Sequence, residues 1–105
     1  MAKKKVFVVT YTHDDMVGWT KYLLAHIKYL KQHVAAGDLI VSGPSEGDHK
    51  RQAILIFAVR DKAALMELIH QDPYFQHDLI TSMTITPWKP QFGNLDESRF
   101  ESQDD

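Results

Sequence analysis

The chain has no cysteine, which excludes a disulfide framework, a thiolate nucleophile and a zinc–thiolate centre together. It also lacks any apolar run near the roughly 18 residues that would suggest a membrane span. Its opening residues pass from three lysines straight into the strand-like VFVVTYT, with no signal-peptide core between them. A cytoplasmic protein without membrane contact is therefore expected. Charge of one sign is missing too: twelve basic residues stand against fourteen acidic ones, for a formal net charge of −2. The imbalance lies partly in the tails, with Lys3, Lys4 and Lys5 at one end and Asp96, Glu97, Glu101, Asp104 and Asp105 at the other. The body between them is nearly neutral and offers no basic stripe for nucleic acid. Glycine-rich phosphate loops are absent, and the nearest approach, Gly43-Pro44, reads as a turn.

What is present is enough for one core. At 105 residues and 44% hydrophobic content, the chain suits a single domain, expected over 1–90. The acidic stretch QFGNLDESRFESQDD over 91–105 has little periodicity and reads as an extended tail. Residues 6–12, β-branched and aromatic, predict a strand. Thr12, Asp14 or Asp15 can then cap a helix reaching Ala36, because Met16, Trp19, Leu23, Ile27, Leu30 and Val34 recur at steps of three and four, and Gly37 stops it. A strand over 39–43, a polar loop over 44–51 and a strand over 52–59 follow as a hairpin. Asp61 caps a second helix that must end before Pro73, and LITSMTITPW closes the pattern as a fourth strand.

This β-α-β-β-α-β order predicts a ferredoxin-like α+β fold, an antiparallel sheet with two helices on one face. The runs VFVV and ILIFAV are apolar at every position, which implies burial on both faces. The simplest cover for the second face is the sheet of an identical subunit, giving a homodimer through sheet faces, a dimeric α+β barrel. In the last strand Ser82, Thr84 and Thr86 share one parity, which suits either a solvent-facing edge or the polar fixing groups of a small-molecule pocket.

With no thiol available, chemistry falls to the six histidines and their acidic neighbours. On the first helix Leu23, Ile27, Leu30 and Val34 predict the buried stripe, with Tyr22, His26, Tyr29 and His33 in a second stripe beside it. His26 sits at the boundary, where a histidine can be partly desolvated and still reach a cleft. Asp72 precedes Pro73, the arrangement of a helix cap followed by proline at the first helical position, and this role is compatible with a place in a reactive site. His33, His70 and His77 could be imagined around a metal, but no recognised ligand spacing supports one, and no metal or other cofactor is expected. His13 and His49 read as exposed loop residues.

The succession HIKYL (26–30), Gly37, SGP (42–44), QDPYF (71–75) and TPW (86–88) resembles the YciI-like family, also called the YCII-related domain. The resemblance runs from about residue 20 to 88. It implies a ferredoxin-like unit that dimerises sheet to sheet, and an active site of paired histidine and aspartate, here His26 and Asp72. Most members have no established activity, and one relative is a dehydrochlorinase of a chlorinated hydroxyquinol. The function expected on this basis is a cofactor-independent, lyase-like enzyme in which the pair moves a proton on a small-molecule ligand. Ser42, Gly43, Pro44, Tyr22 and Tyr74 are the residues expected around that ligand. A non-catalytic ligand-binding module, or an oxygenase of the same barrel type, would share the fold. Relatives often carry arginine one turn before the histidine; this chain has Leu23.

Overall fold

A computed structural model describes residues 4–45 and 51–93. The loop residues 46–50, with His49, and the tail from residue 94 lie outside the described residues. The elements run β1 (Lys5–His13), α1 (Met16–Lys21), α2 (Leu23–Ala36), β2 (Leu39–Ser45), β3 (Arg51–Val59), α3 (Lys62–His70), α4 (Pro73–Gln76) and β4 (Ser82–Trp88). The four strands form one antiparallel sheet in the order β2-β3-β1-β4. That is the split βαβ arrangement predicted from the element order.

Alternation decides which face is buried. Phe7, Val9, Tyr11 and His13 of β1 are buried, with half-exposed residues between them. Leu55, Phe57 and Val59 repeat the pattern on β3, and Leu65 and Ile69 of α3 complete the core. Phe7 and Phe57 are direct partners across the two central strands, an aromatic pair on the helix-facing side. The opposite face carries Val6, Val8, Ile54, Ile56 and Ala58, all half-buried or exposed. Among the described residues nothing covers it. Ser82, Thr84 and Thr86 are exposed and alternate with Met83 and Ile85, which pack on the core. The two outer strands each include a proline, Pro44 in β2 and Pro87 in β4, as an edge permits, because there a missing N–H need not break a ladder.

The first helix departs from expectation in two ways. It is broken at Tyr22 (φ −102°, ψ 11°), so that Asp15 caps α1 by accepting from the Gly18 N–H at 2.9 Å while α2 starts afresh at Leu23. Its buried side is also the other stripe: His26, Tyr29 and His33 are the buried residues of α2, whereas Leu23 and Val34 are exposed. The apolar positions Leu23 and Ile27 border a cavity instead of filling the core, and Leu30 borders it while packing on the core from the side. This explains why apolar periodicity pointed to the wrong face. Two further boundaries moved. β2 continues through Pro44 and Ser45, which pair with Ala53 and Gln52. β4 starts at Ser82, because Asp78 turns the chain at φ 56° and Leu79 closes back onto the Tyr74 carbonyl.

Gly37 ends α2 in the left-handed region at φ 85°, where a Cβ costs roughly 1–2 kcal/mol. Gly37→Ala should therefore lower unfolding stability by about that amount. Gly43→Ala, where a Cβ would have nothing within 4 Å, should leave it nearly unchanged. Urea melts of the two variants beside the parent check the contrast.

Candidate functional site

The loop between α3 and α4 carries the polar centre of the molecule. Asp72 stands before Pro73 with extended backbone (φ −68°, ψ 124°) and caps α4, its Oδ1 accepting from the Tyr74 N–H at 3.0 Å. The same oxygen lies 2.8 Å from His26 Nδ1. Capping and pairing thus share one atom. Asp72 is completely buried and His26 is 8% exposed, so this is a desolvated contact of residues far apart in sequence. Because a carboxylate only accepts, the imidazole donates from Nδ1, which leaves Nε2 as the free ring nitrogen.

Phenols surround the carboxylate. Tyr11 and Tyr74 are fully buried and Tyr29 nearly so. Burial, and then the negative charge of Asp72, raise the phenol pKa of all three; Tyr74 is pushed up to about 12. They therefore remain protonated at any physiological pH. Tyr29 donates to the Leu68 carbonyl at 2.6 Å and Tyr74 to the Trp19 carbonyl at 2.9 Å. Among the described residues the Tyr11 hydroxyl and Asp72 Oδ2, both buried, have no hydrogen-bond partner of good geometry, yet Tyr11 is near enough for the carboxylate to act on it.

A stack of four rings joins this centre to the end of β1. His13 lies flat on Trp19 at 3.5 Å and 4°, Trp19 on Tyr74 at 3.5 Å, and Tyr74 on His26 at 4.1 Å. The break at Tyr22 makes this possible by giving α1, which carries Trp19, a course of its own. Tyr22 itself stacks on His77 at 3.8 Å.

Beside His26 is a cavity of about 250 Å³ between α2 and the β2–β3 end of the sheet. Trp19, Leu23, Ile27, Leu30 and Leu55 form its apolar wall, and His13, His26, Ser42 and Gln52 supply the polar atoms. Among the described residues no lysine, arginine or carboxylate lines it. Of the residues expected around a ligand, Ser42, Gly43 and Pro44 are on this wall. Tyr22 and Tyr74 are not: Tyr22 is drawn aside onto His77, and Tyr74 is packed beneath His26. The expected place for a pocket also shifts, since this cavity is on the helix side of the sheet and Ser82, Thr84 and Thr86 take no part in its wall.

His13 corrects another expectation. It is 6% exposed and lines the cavity. Extending the alternation Phe7, Val9, Tyr11 by one step would have placed it on the inner face. His33 makes a second, longer contact, its Nδ1 lying 3.4 Å from Asp38 Oδ2, away from the cavity. His70 and His77 are exposed and stack on Phe75 and Tyr22. Among the described residues no group of three potential ligands could hold a metal ion.

The double use of Asp72 Oδ1 ranks its substitutions. Asp72→Ala loses the cap, about 1 kcal/mol, together with a hydrogen bond to the imidazole. Asp72→Asn keeps the cap and should fall between alanine and the parent in thermal and denaturant melts. Equal loss in both variants would mean that capping contributes nothing.

Comparison with known proteins bears on the fold and the family. The chain matches no curated protein. Among solved structures it is similar to 5-chloro-2-hydroxyhydroquinone dehydrochlorinase (TftG) from Burkholderia phenoliruptrix AC1100, in complex with 2,5-dihydroxybenzoquinone: 18% identity and a TM-score of 0.69, covering 80% of this chain and 93% of that one. It is also similar to a dimeric ferredoxin-like protein from an uncultured marine organism, at 10% identity and a TM-score of 0.53, covering 88% and 93%. At these identities the likeness is one of fold. The family model for the YCII-related domain matches residues 6–89, most of the chain, and the protein belongs to that family.

Proposed function

We propose that the chain is a cofactor-independent enzyme that moves a proton on a small, flat, uncharged molecule, with His26 as the acid–base group and Asp72 as the residue that orients it. The observation that carries this reading is the 2.8 Å contact of His26 Nδ1 with the fully buried Asp72 carboxylate at the edge of a cavity. Donation from Nδ1 fixes the tautomer and turns Nε2 toward chemistry. When Nε2 takes a proton, the imidazolium forms against a carboxylate already in place, so the site need not reorganise.

The cavity wall supports the choice of ligand. Trp19, Leu23, Ile27 and Leu30 favour a planar apolar body, while Ser42 and Gln52 offer hydrogen bonds to its oxygens. Leu23 stands where relatives often carry arginine, and its apolar side chain favours a ligand without an anionic group. The reaction type proposed is lyase-like: a proton leaves the ligand and a leaving group departs from a neighbouring atom. The structural relative that is a dehydrochlorinase supports the reaction class, whereas its substrate is not carried over.

The working unit proposed is a homodimer. Val6, Val8, Ile54 and Ile56 form an apolar sheet face that no described residue covers, and a second copy can cover it with the same face. Light scattering at micromolar concentration should report twice the chain mass. A persistent monomer would leave that face to some other partner.

For the chemistry, His26→Asn preserves polarity and approximate size but cannot exchange a proton near neutrality. Screened against hydroxylated and halogenated aromatic compounds, the variant should stay folded and keep ligand affinity, melting lower than the parent because buried Asp72 loses a donor, while turnover per folded molecule falls by roughly 10² or more. The alternative, a module that binds without converting, predicts ligand retention and no turnover in either protein.

A further inference from the structure

His26 shares the cavity with a second imidazole. His13, the last residue of β1, lines the same wall and lies flat on Trp19 at 3.5 Å. Trp19 stands 6.1 Å from His26, so the two imidazoles are no farther apart than those distances combined. The fold does not require a histidine there. The inner face of β1 is otherwise Phe7, Val9 and Tyr11, and a phenylalanine could stack on the indole without burying a nitrogen. His13 Nδ1 is buried and has no hydrogen-bond partner among the described residues. A buried N–H without an acceptor is rarely tolerated, so the proton is assigned to Nε2, and Nε2–H is the group left to meet a ligand.

Electrostatics set the two histidines apart. Among the described residues, the charged groups acting on His13 are Arg51, its register partner on β3, and Asp14, which follows it in the chain. Burial and the guanidinium lower its pKa below the ordinary 6.5, and Asp14 offsets only part of this. His13 is thus uncharged at neutral pH. His26 instead faces the Asp72 carboxylate. Unlike surroundings for two like groups in one cavity are how sites divide roles between them.

We infer that His13 is a second working residue of the cavity, an uncharged imidazole whose Nε2–H holds a ligand oxygen while His26 removes a proton. This rests on the proton-transfer reading of His26 and adds a requirement on the substrate: a carbonyl oxygen conjugated to the carbon that loses the proton. In the step, His26 Nε2 takes the proton from carbon. The electron pair of that bond moves through the ligand to its oxygen, and the N–H of His13 stabilises the charge that develops there. No proton passes to or from His13.

Two probes separate this inference from the reading it rests on. Nitrobenzisoxazole opens when a base removes its ring C–H proton, the N–O bond breaks and the electron pair ends on a coloured phenolate, so its turnover needs His26. Nitrophenolate already carries on its oxygen the charge that an uncharged ligand gains only during the step, so its binding requires no reaction and reads the donor to that oxygen, and a parent that fails to bind it counts against the inference. His13→Phe keeps the stack on Trp19 but has no N–H, and His13→Gln restores a donor, guarding against a variant that fails to fold. The expected result is that His13→Phe melts no lower than the parent and binds nitrophenolate at least tenfold more weakly, with partial recovery in His13→Gln, the pattern of a lost hydrogen bond to a charged oxygen. Benzisoxazole turnover should fall in parallel. Equal nitrophenolate affinity in parent and His13→Phe would overturn the inference, even if His26→Asn abolishes turnover. A parent inert toward benzisoxazole, or His26→Asn as fast as the parent, would instead sink the base role of His26 and leave the phenolate measurement to judge His13.

Discussion

A carboxylate with no access to water is the constraint around which this molecule is arranged. Asp72 is fully buried, and a charge in that position is costly unless donors engage at least one of its oxygens. Two donors converge on Oδ1, the Tyr74 N–H and the His26 ring. Each ties the loop before α4 to something else: the first to the short helix that follows, the second to the middle of α2. The three phenols around it contribute bulk and low polarity without taking up charge. The position of His26, and with it the cavity wall, follows from satisfying one residue.

Most of the architecture was legible in the pattern of side chains. Two periods, alternation in the strands and steps of three and four in the helices, are enough to order the elements. The stop at Gly37 and the caps at Asp61 and Asp72 are local chemistry that tertiary contacts do not overturn. The pairing of His26 with Asp72 came from the motifs that carry the family resemblance, since nothing local connects a mid-helix histidine to a distant cap.

The rest was hidden for physical reasons. Apolar periodicity names the side of a helix that avoids water, but a cavity wall avoids water as well as a core does. Leu23, Ile27 and Leu30 therefore look like core residues while bordering a cavity, and His26, Tyr29 and His33 look peripheral while being buried. The break at Tyr22 could not be foreseen, because no proline or glycine marks it. It leaves Trp19 stacked between His13 and Tyr74. His13 was misplaced because a strand boundary was drawn one residue short.

The prolines at the two margins of the sheet bear on how large an assembly can grow. A strand at the margin ordinarily presents a row of donors and acceptors to which another chain can add, and then another, without limit. Pro44 and Pro87 each remove a donor from such a row, one at each margin. Lateral accretion into ribbons is disfavoured on both sides, and the broad apolar face remains the direction in which copies can meet. Contact through that face consumes it on both copies, so association in that direction is self-limiting, and the same chemistry that resists fibre growth favours a closed particle.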